Sequence, residues 1–342
     1  MNAPRPDLTP CERTLRFLRG EPVDRPPFHP ILMRWAARQA GVKYRDFCLR
    51  HEAKNQAMLH GAALLDCDWV TVMSDAYAEA SAFGLQVEYP EDNLPLECGG
   101  HLASAQAGAA LKPYVVDEHP RLLNRIREIA GFRQRAGDRY FIVGWVEGPM
   151  AEYSDIRGLG DASMDLYDEP EAVGRAMDVI VEASLPFITR QVEAGAHAIG
   201  IGDAFASQIG PDLYRAFVFE REKAMIDHIH GLGALAKLHI CGNTAPILPD
   251  MIRTGADILD VDHLVPSMAP FASLLGPHQV FSGKVDPVSV VQNGTPGQVR
   301  AAVRESLQQG GGRCIVSAGC EIPPDAPLDN VRAMREAAAQ PP

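Results

Sequence analysis

The stretch "AKLHICGNTAPILPDMIRTGADILDV", residues 236–261, contains one complete strand–helix–strand unit. An apolar run, Ala236–Ile240, breaks at Cys241-Gly242-Asn243. Ile247, Leu248, Met251 and Ile252 then recur on one helical face from about Thr244 to Thr254, Gly255 ends the helix, and a second apolar run, Asp257–Val261, follows. Two short apolar runs joined through a helix lie parallel, because the crossover is far too long for a hairpin.

The alternation continues in both directions. Strands read near Pro27–Leu32, Asp68–Ser74, Tyr140–Val146, Ala196–Gly202, Val280–Lys284 and Arg313–Ala318, which with the two above makes eight. The helix before the quoted stretch runs over Pro211–His230: Pro opens it, Leu213, Phe217, Met225 and Ile229 are buried, and Gly231 or Gly233 ends it. Eight such units, without a Gly-rich dinucleotide turn after the first strand, predict an α/β fold of the (β/α)8 TIM-barrel kind rather than a doubly wound sheet. Thr9-Pro10-Cys11-Glu12 is a capping box that opens a lead-in helix through Leu18. After the second strand, Ala76–Asp117 is long for a connection and includes "LQVEYPEDNLPLECGG" (85–100), a hairpin-like insertion of the kind that covers a site. The chain reads as one domain over 1–342, with a lead-in to about residue 25 and the barrel over 26–338.

Bulk properties narrow the function. The 342 residues carry 32 basic against 44 acidic side chains, a net charge of −12, which argues against nucleic acid or an anionic membrane as the main partner. No apolar run reaches the length of a membrane span, and the start lacks the layout of a signal peptide, so the expected compartment is the cytosol. Seven scattered cysteines, an odd number, suggest free thiols or metal ligands rather than a disulfide framework.

In a barrel of this kind the strand ends converge on one rim, and reactive residues there gain weight. Asp75, Glu147, Asp203, His239 with Cys241, Asp262 with His263, Lys284 with Asp286, and Cys320 with Glu321 all fall at such ends. His239 and Cys241, one residue apart, face the same side, and Cys320 ends the eighth strand as His239 ends the fifth. Two thiolates and an imidazole suit Zn²⁺ and leave a coordination position open, with Asp262 a fourth ligand in the resting state. The competing reading is a core histidine and buried cysteines, and the residues alone leave the two open; for Cys11, Cys48, Cys67, Cys98 and Cys314 burial is the expectation. Arg34 and Arg38, four apart on one turn, present either a carboxylate- or phosphate-binding pair or a solvated face. Asp75 either orients substrate or caps the next segment. Lys284 and Asp286 are expected to pair with each other.

"RTLRFLRGEPVDRPP" (13–27), "GDAFASQIGPDLYRAF" (202–217), "HICGNTAPILPDMIRTGADILDVD" (239–262), "FSGKVDP" (281–287) and "SAGCEIPPDAPLDNVRAM" (317–334) resemble the uroporphyrinogen decarboxylase superfamily, and within it the methylcobamide:coenzyme M type of corrinoid methyltransferase. The resemblance implies a (β/α)8 barrel, a zinc site at His239, Cys241 and Cys320, and methyl transfer between a methylated corrinoid and a nucleophilic small-molecule acceptor, a thiol such as coenzyme M. In that reading Asp262, Glu147 and Asp203 serve the catalytic site, and Arg34, Arg38, Asp75 and His263 bind substrate. Arg34, Arg38 and Asp75 also resemble decarboxylase motifs, which keeps decarboxylation as an alternative, beside methyl transfer to tetrahydrofolate and a noncatalytic role in a corrinoid system. No D-x-H-x-x-G corrinoid motif occurs, so the corrinoid, methylcobalamin or a relative, is expected on a separate corrinoid-binding protein. Oligomerisation stays open.

Overall fold

The computed structural model describes residues 8–339. Its strands are β1 (Trp69–Thr71), β2 (Gln86–Glu88), β3 (Leu96–Gly99), β4 (Phe141–Glu147), β5 (Ala198–Gly202), β6 (Leu235–Ile240), β7 (Ile258–Val261), β8 (Val280–Gly283) and β9 (Cys314–Ile315). Seven of them form one curled parallel sheet in the order β1-β4-β5-β6-β7-β8-β9, with helices between successive strands, and β2 pairs antiparallel with β3.

The first expected strand, Pro27–Leu32, is not a ladder strand. It closes the barrel through isolated contacts: Phe28 bridges Val316, Ile31 bridges Glu321, and the Asp68 N–H donates to Phe28 O at 2.9 Å. Pro26, Pro27 and Pro30 have no N–H to give, so continuous pairing cannot form here. Buried Asp68 compensates by accepting from Arg13, from Arg25 and from the Phe28 N–H at 2.7 Å, which fixes this segment against the head of β1. The last strand is also shorter than expected, with Val316 and Ala318 held only by bridges beyond Ile315.

The lead-in helix spans Pro10–Leu18 with the expected capping box at Thr9 and Glu12. Its Cys11 and Leu18 pack on Trp69, Phe141, Val143, Ala198, Ile258, Val280 and Ile315, residues toward the amino ends of the barrel strands, and so close that end of the cylinder. Trp69 donates its indole N–H to Thr14 Oγ1 at 2.9 Å. The helix expected over 211–230 runs over 210–231 with a π-helical turn at Tyr214–Val218, and the one expected from Thr244 begins only at Leu248. Pro246 disfavours the helical conformation in the residue before it, which explains the late start. The insertion is a hairpin, β2 and β3, flanked by helices Tyr77–Ala82 and Ala105–Ala109.

Candidate metal centre and barrel mouth

His239, Cys241 and Cys320 meet at the carboxyl end of the barrel, with one donor atom from each within 4.8 Å of the others. His239 Nε2 lies 2.9 Å from Cys241 Sγ, and the two sulfurs are 3.6 Å apart. The last residues of β6 present His239 inward, and Cys241 follows just beyond the strand end. Cys320 arrives from the segment after β9, brought close by Gly319, where a Cβ would lie 2.4 Å from the His263 backbone N. Only glycine tolerates that approach.

The donors are electrostatically prepared. His239 Nδ1 is 2.8 Å from Asp260 Oδ2, which leaves Nε2 as the free ligand atom, and Lys237 Nζ is 2.7 Å from the same oxygen. Burial works against a charged His239, but hydrogen bonds with Asp260 and Cys320 prevail and raise it to about 9. Cys320 is pulled down to about 4 by hydrogen bonds from Cys241 and His239, while Cys241 is pushed up. The two sulfurs, in contact with each other, thus shift in opposite directions, Cys320 toward the thiolate. Two cysteine sulfurs and one imidazole, oriented by a carboxylate behind it, fit a tetrahedral zinc site that keeps a position open.

Asp262 does not join the three donors. Its Oδ2 accepts from the Gly242 N–H at 2.9 Å and its Oδ1 from the Leu264 N–H at 3.0 Å, so it ties the loop after β6 to that after β7, with His263 Nδ1 2.6 Å away. Asp203 accepts from the Ala151 N–H at 2.6 Å and caps the helix Pro149–Arg157. Arg34 clasps Glu321 with Nε and Nη2 at 3.1 and 3.0 Å, and Arg38 pairs with Asp325. Asp75 takes Arg121 Nη2 at 2.6 Å; burial opposes its charge, but Arg121 and Arg125 lower it to about 2. Lys284 and Asp286 do not pair. The lysine donates to Val265 O and Pro266 O, and the aspartate caps Val288 and Ser289, because the backbone turns between them with Lys284 at φ 81°.

Glu147, at the end of β4, accepts from Trp145 Nε1 at 2.8 Å, and the Trp145 and His239 rings are 6.0 Å apart. Between their strands stands Gly202, in register with both Glu147 and His239. A Cβ on Gly202 would lie 2.5 Å from the indole and 3.0 Å from Glu147 Oε2, so the glycine lets this pair lean toward the metal centre.

Residues 9–340 match the uroporphyrinogen decarboxylase (URO-D) family over almost the whole chain. The chain belongs to that family. Within it, the chain is 28% identical to methylcobamide:CoM methyltransferase MtbA of Methanosarcina mazei, covering 97% of this chain and 98% of the relative. It is 27% identical to methylcobamide:CoM methyltransferase MtaA of Methanosarcina barkeri, over 96% and 97% of the two chains. Uroporphyrinogen decarboxylase of a Synechococcus strain is 26% identical over 92% of each. A solved structure, a methyltransferase from Methanosarcina mazei, superposes with a TM-score of 0.87 at 26% identity, covering 97% of this chain and 98% of that one. The URO-D barrel fold is thereby shown. Among the described residues, no helix is long and apolar enough to cross a membrane.

Several residues around this candidate site escaped the sequence reading: Asp260 and Lys237 behind the imidazole, and Glu79, Glu152, Asp155, Arg121 and Arg125 around the mouth. Lys237 shares one face of β6 with His239, and Asp260 stands opposite His239 only through the cross-strand register. The others lie on helices whose patterning does not distinguish the mouth from the surface.

Proposed function

We propose that this chain transfers a methyl group between a methylated corrinoid, brought by a separate corrinoid-binding protein, and a thiol acceptor. The observation that carries the reading is the convergence of His239 Nε2 and two cysteine sulfurs at the rim where barrel enzymes of this type work. The methylcobamide:CoM methyltransferases among its relatives, and the fold match to a methanosarcinal methyltransferase, support it.

His239, Cys241 and Cys320 would hold zinc, which when bound supplies Lewis acidity that keeps an acceptor thiol deprotonated at neutral pH. Asp260 engages Nδ1 of the imidazole and leaves Nε2 as the atom that would ligate, and Lys237 keeps Asp260 ionised. The acceptor S–H releases its proton to solvent, the sulfur–carbon bond forms as the carbon–cobalt bond breaks, and the bonding pair stays on cobalt, reducing it from cobalt(III) to cobalt(I). Two cysteine ligands would leave such an ion little net charge and would so preserve the nucleophilicity of an acceptor sulfur.

The decarboxylase alternative leans on Arg34, Arg38 and Asp75. Each of the three already has a charged partner within the protein, which favours methyl transfer over it. The test is metal content with turnover: about one zinc per chain, lost in Cys241→Ala and Cys320→Ala, together with loss of the methylcobalamin spectrum on adding a thiol. Metal-free protein that consumes uroporphyrinogen III would reverse the reading.

A further inference from the structure

Beside the metal centre the mouth carries a second, unassigned group of side chains. Glu79 follows β1, Glu147 ends β4, and Glu152 and Asp155 lie on the helix Pro149–Arg157 that follows β4. Glu79 has partners, Arg125 at 2.9 Å and the Glu147 N–H at 3.0 Å. Glu147 has Trp145. Glu152 is 1% exposed, yet neither of its carboxylate oxygens has a hydrogen-bond partner, and Asp155 Oδ2 is likewise buried and unpartnered.

An unpaired buried carboxyl group is costly, and like charges around it raise the cost. Around Glu152 stand Glu79, Asp155 and Glu147 with only Arg125 in opposition, and around Asp155 stand Glu97 of the hairpin, Glu79, Asp203 and Asp75. Burial first, and these neighbours second, push Glu152 well up and Asp155 to about 8. Either protons or a bound cation must neutralise such a group. The arginines nearby do not: Arg121 is committed to Asp75, Arg125 to Glu79 and Arg34 to Glu321.

The geometry points to a recognition subsite, formed by Glu152, Asp155 and Glu147, that takes a positively charged amine at the non-reacting end of the methyl acceptor. Its place supports this role, since Glu147 reaches His239 through Trp145 across the bare backbone of Gly202. The subsite rests on the proposed methyl transfer to a thiol and sets the chemistry of that thiol: an aminothiol is favoured, because its ammonium gives the unpartnered carboxyl oxygens a charged donor that a sulfonate or carboxylate end lacks.

The test compares thiols that differ only in the charge of the far end. Cysteamine and 2-mercaptoethanesulfonate, with their three-carbon homologues to allow for reach, are titrated calorimetrically into the zinc-loaded full chain. The expected result is tighter binding of the aminothiols by about tenfold or more, shrinking to less than about threefold in Glu152→Gln. Asp155→Asn, milder on folding, is measured alongside and shows the same loss of preference. Equal affinities, tighter binding of the sulfonates, or a preference unmoved in both variants overturns the subsite. Absence of methyl transfer from methylcobalamin to any of these thiols would instead count against the proposed reaction, while the titration still decides the subsite.

Discussion

The imidazole of His239 and the carboxylate of Asp260 form a buried pair, Nδ1 to Oδ2 at 2.8 Å, and Lys237 Nζ approaches the same oxygen at 2.7 Å. The pair orients the ligand nitrogen, and the lysine holds the carboxylate charged. Asp260→Asn is expected to weaken zinc binding by roughly 10–100-fold, read by competition with a chromophoric chelator. It also strands a buried ammonium, at a cost of about 3–5 kcal/mol in denaturant unfolding. Adding Lys237→Met should recover most of the stability and none of the zinc affinity, separating orientation of the ligand from integrity of the core.

Arg34 and Glu321 predict a second effect on the metal. Glu321 follows Cys320 directly, and the fork of Arg34 together with its own N–H, 3.0 Å from Glu321 Oε1, anchors that segment. Arg34→Met should cost about 2 kcal/mol in stability, the range for hydrogen bonds to charged groups. Zinc should also leave faster, because Cys320 loses its tether, whereas Arg38→Met, on an exposed pair, should change either quantity little. Equal zinc off-rates in the two variants would refute the tether.

Gly202→Ala adds a single methyl group against Trp145 and Glu147. The new carbon collides with the Trp145 indole and crowds Glu147, so overpacking of about 1–3 kcal/mol is expected. Methyl transfer should fall further than stability does, since both displaced side chains border the centre. Retained transfer with an unchanged melting temperature would show that the indole moves aside freely.

Asp155 gives a pH dependence with a definite sign. Its carboxyl is held up at about 8 in the folded chain against about 4 when unfolded, so the folded state binds the extra proton between those values. Stability is unaffected by this group below about pH 4 and is progressively lost as pH rises toward about 8. Asp155→Asn removes that loss: the melting temperature should rise by several degrees at pH 8 and hardly change at pH 4.5. An unchanged difference at the two pH values would mean that the group is already ionised.

The barrel and the three soft donors were legible because both depend on strand ends, and strand ends show in the sequence as apolar runs that stop. Asp260 was not, and the reason lies in "DILDVD" (257–262): Asp260 and Asp262 alternate on one face, and only cross-strand register decides which stands beside His239. Arg34, Arg38 and Asp75 were legible as charges, but their carboxylate and guanidinium partners come from segments far away in the chain. The first stave was expected as a strand because Pro27–Leu32 is a short, mostly apolar run, while its prolines withhold the hydrogen bonds a ladder needs. Arg121 and Arg125, one turn apart on the helix Pro120–Ala136, gave no sign that they serve the mouth.

The helix Pro10–Leu18 stoppers the far end of the cylinder. Under the proposed chemistry, reactants must then queue at one doorway, and a macromolecular carrier resting on that doorway bars anything behind it. The small molecule has to enter before the carrier lands and to depart after it leaves, an ordered traffic dictated by a nine-residue cork at the opposite pole.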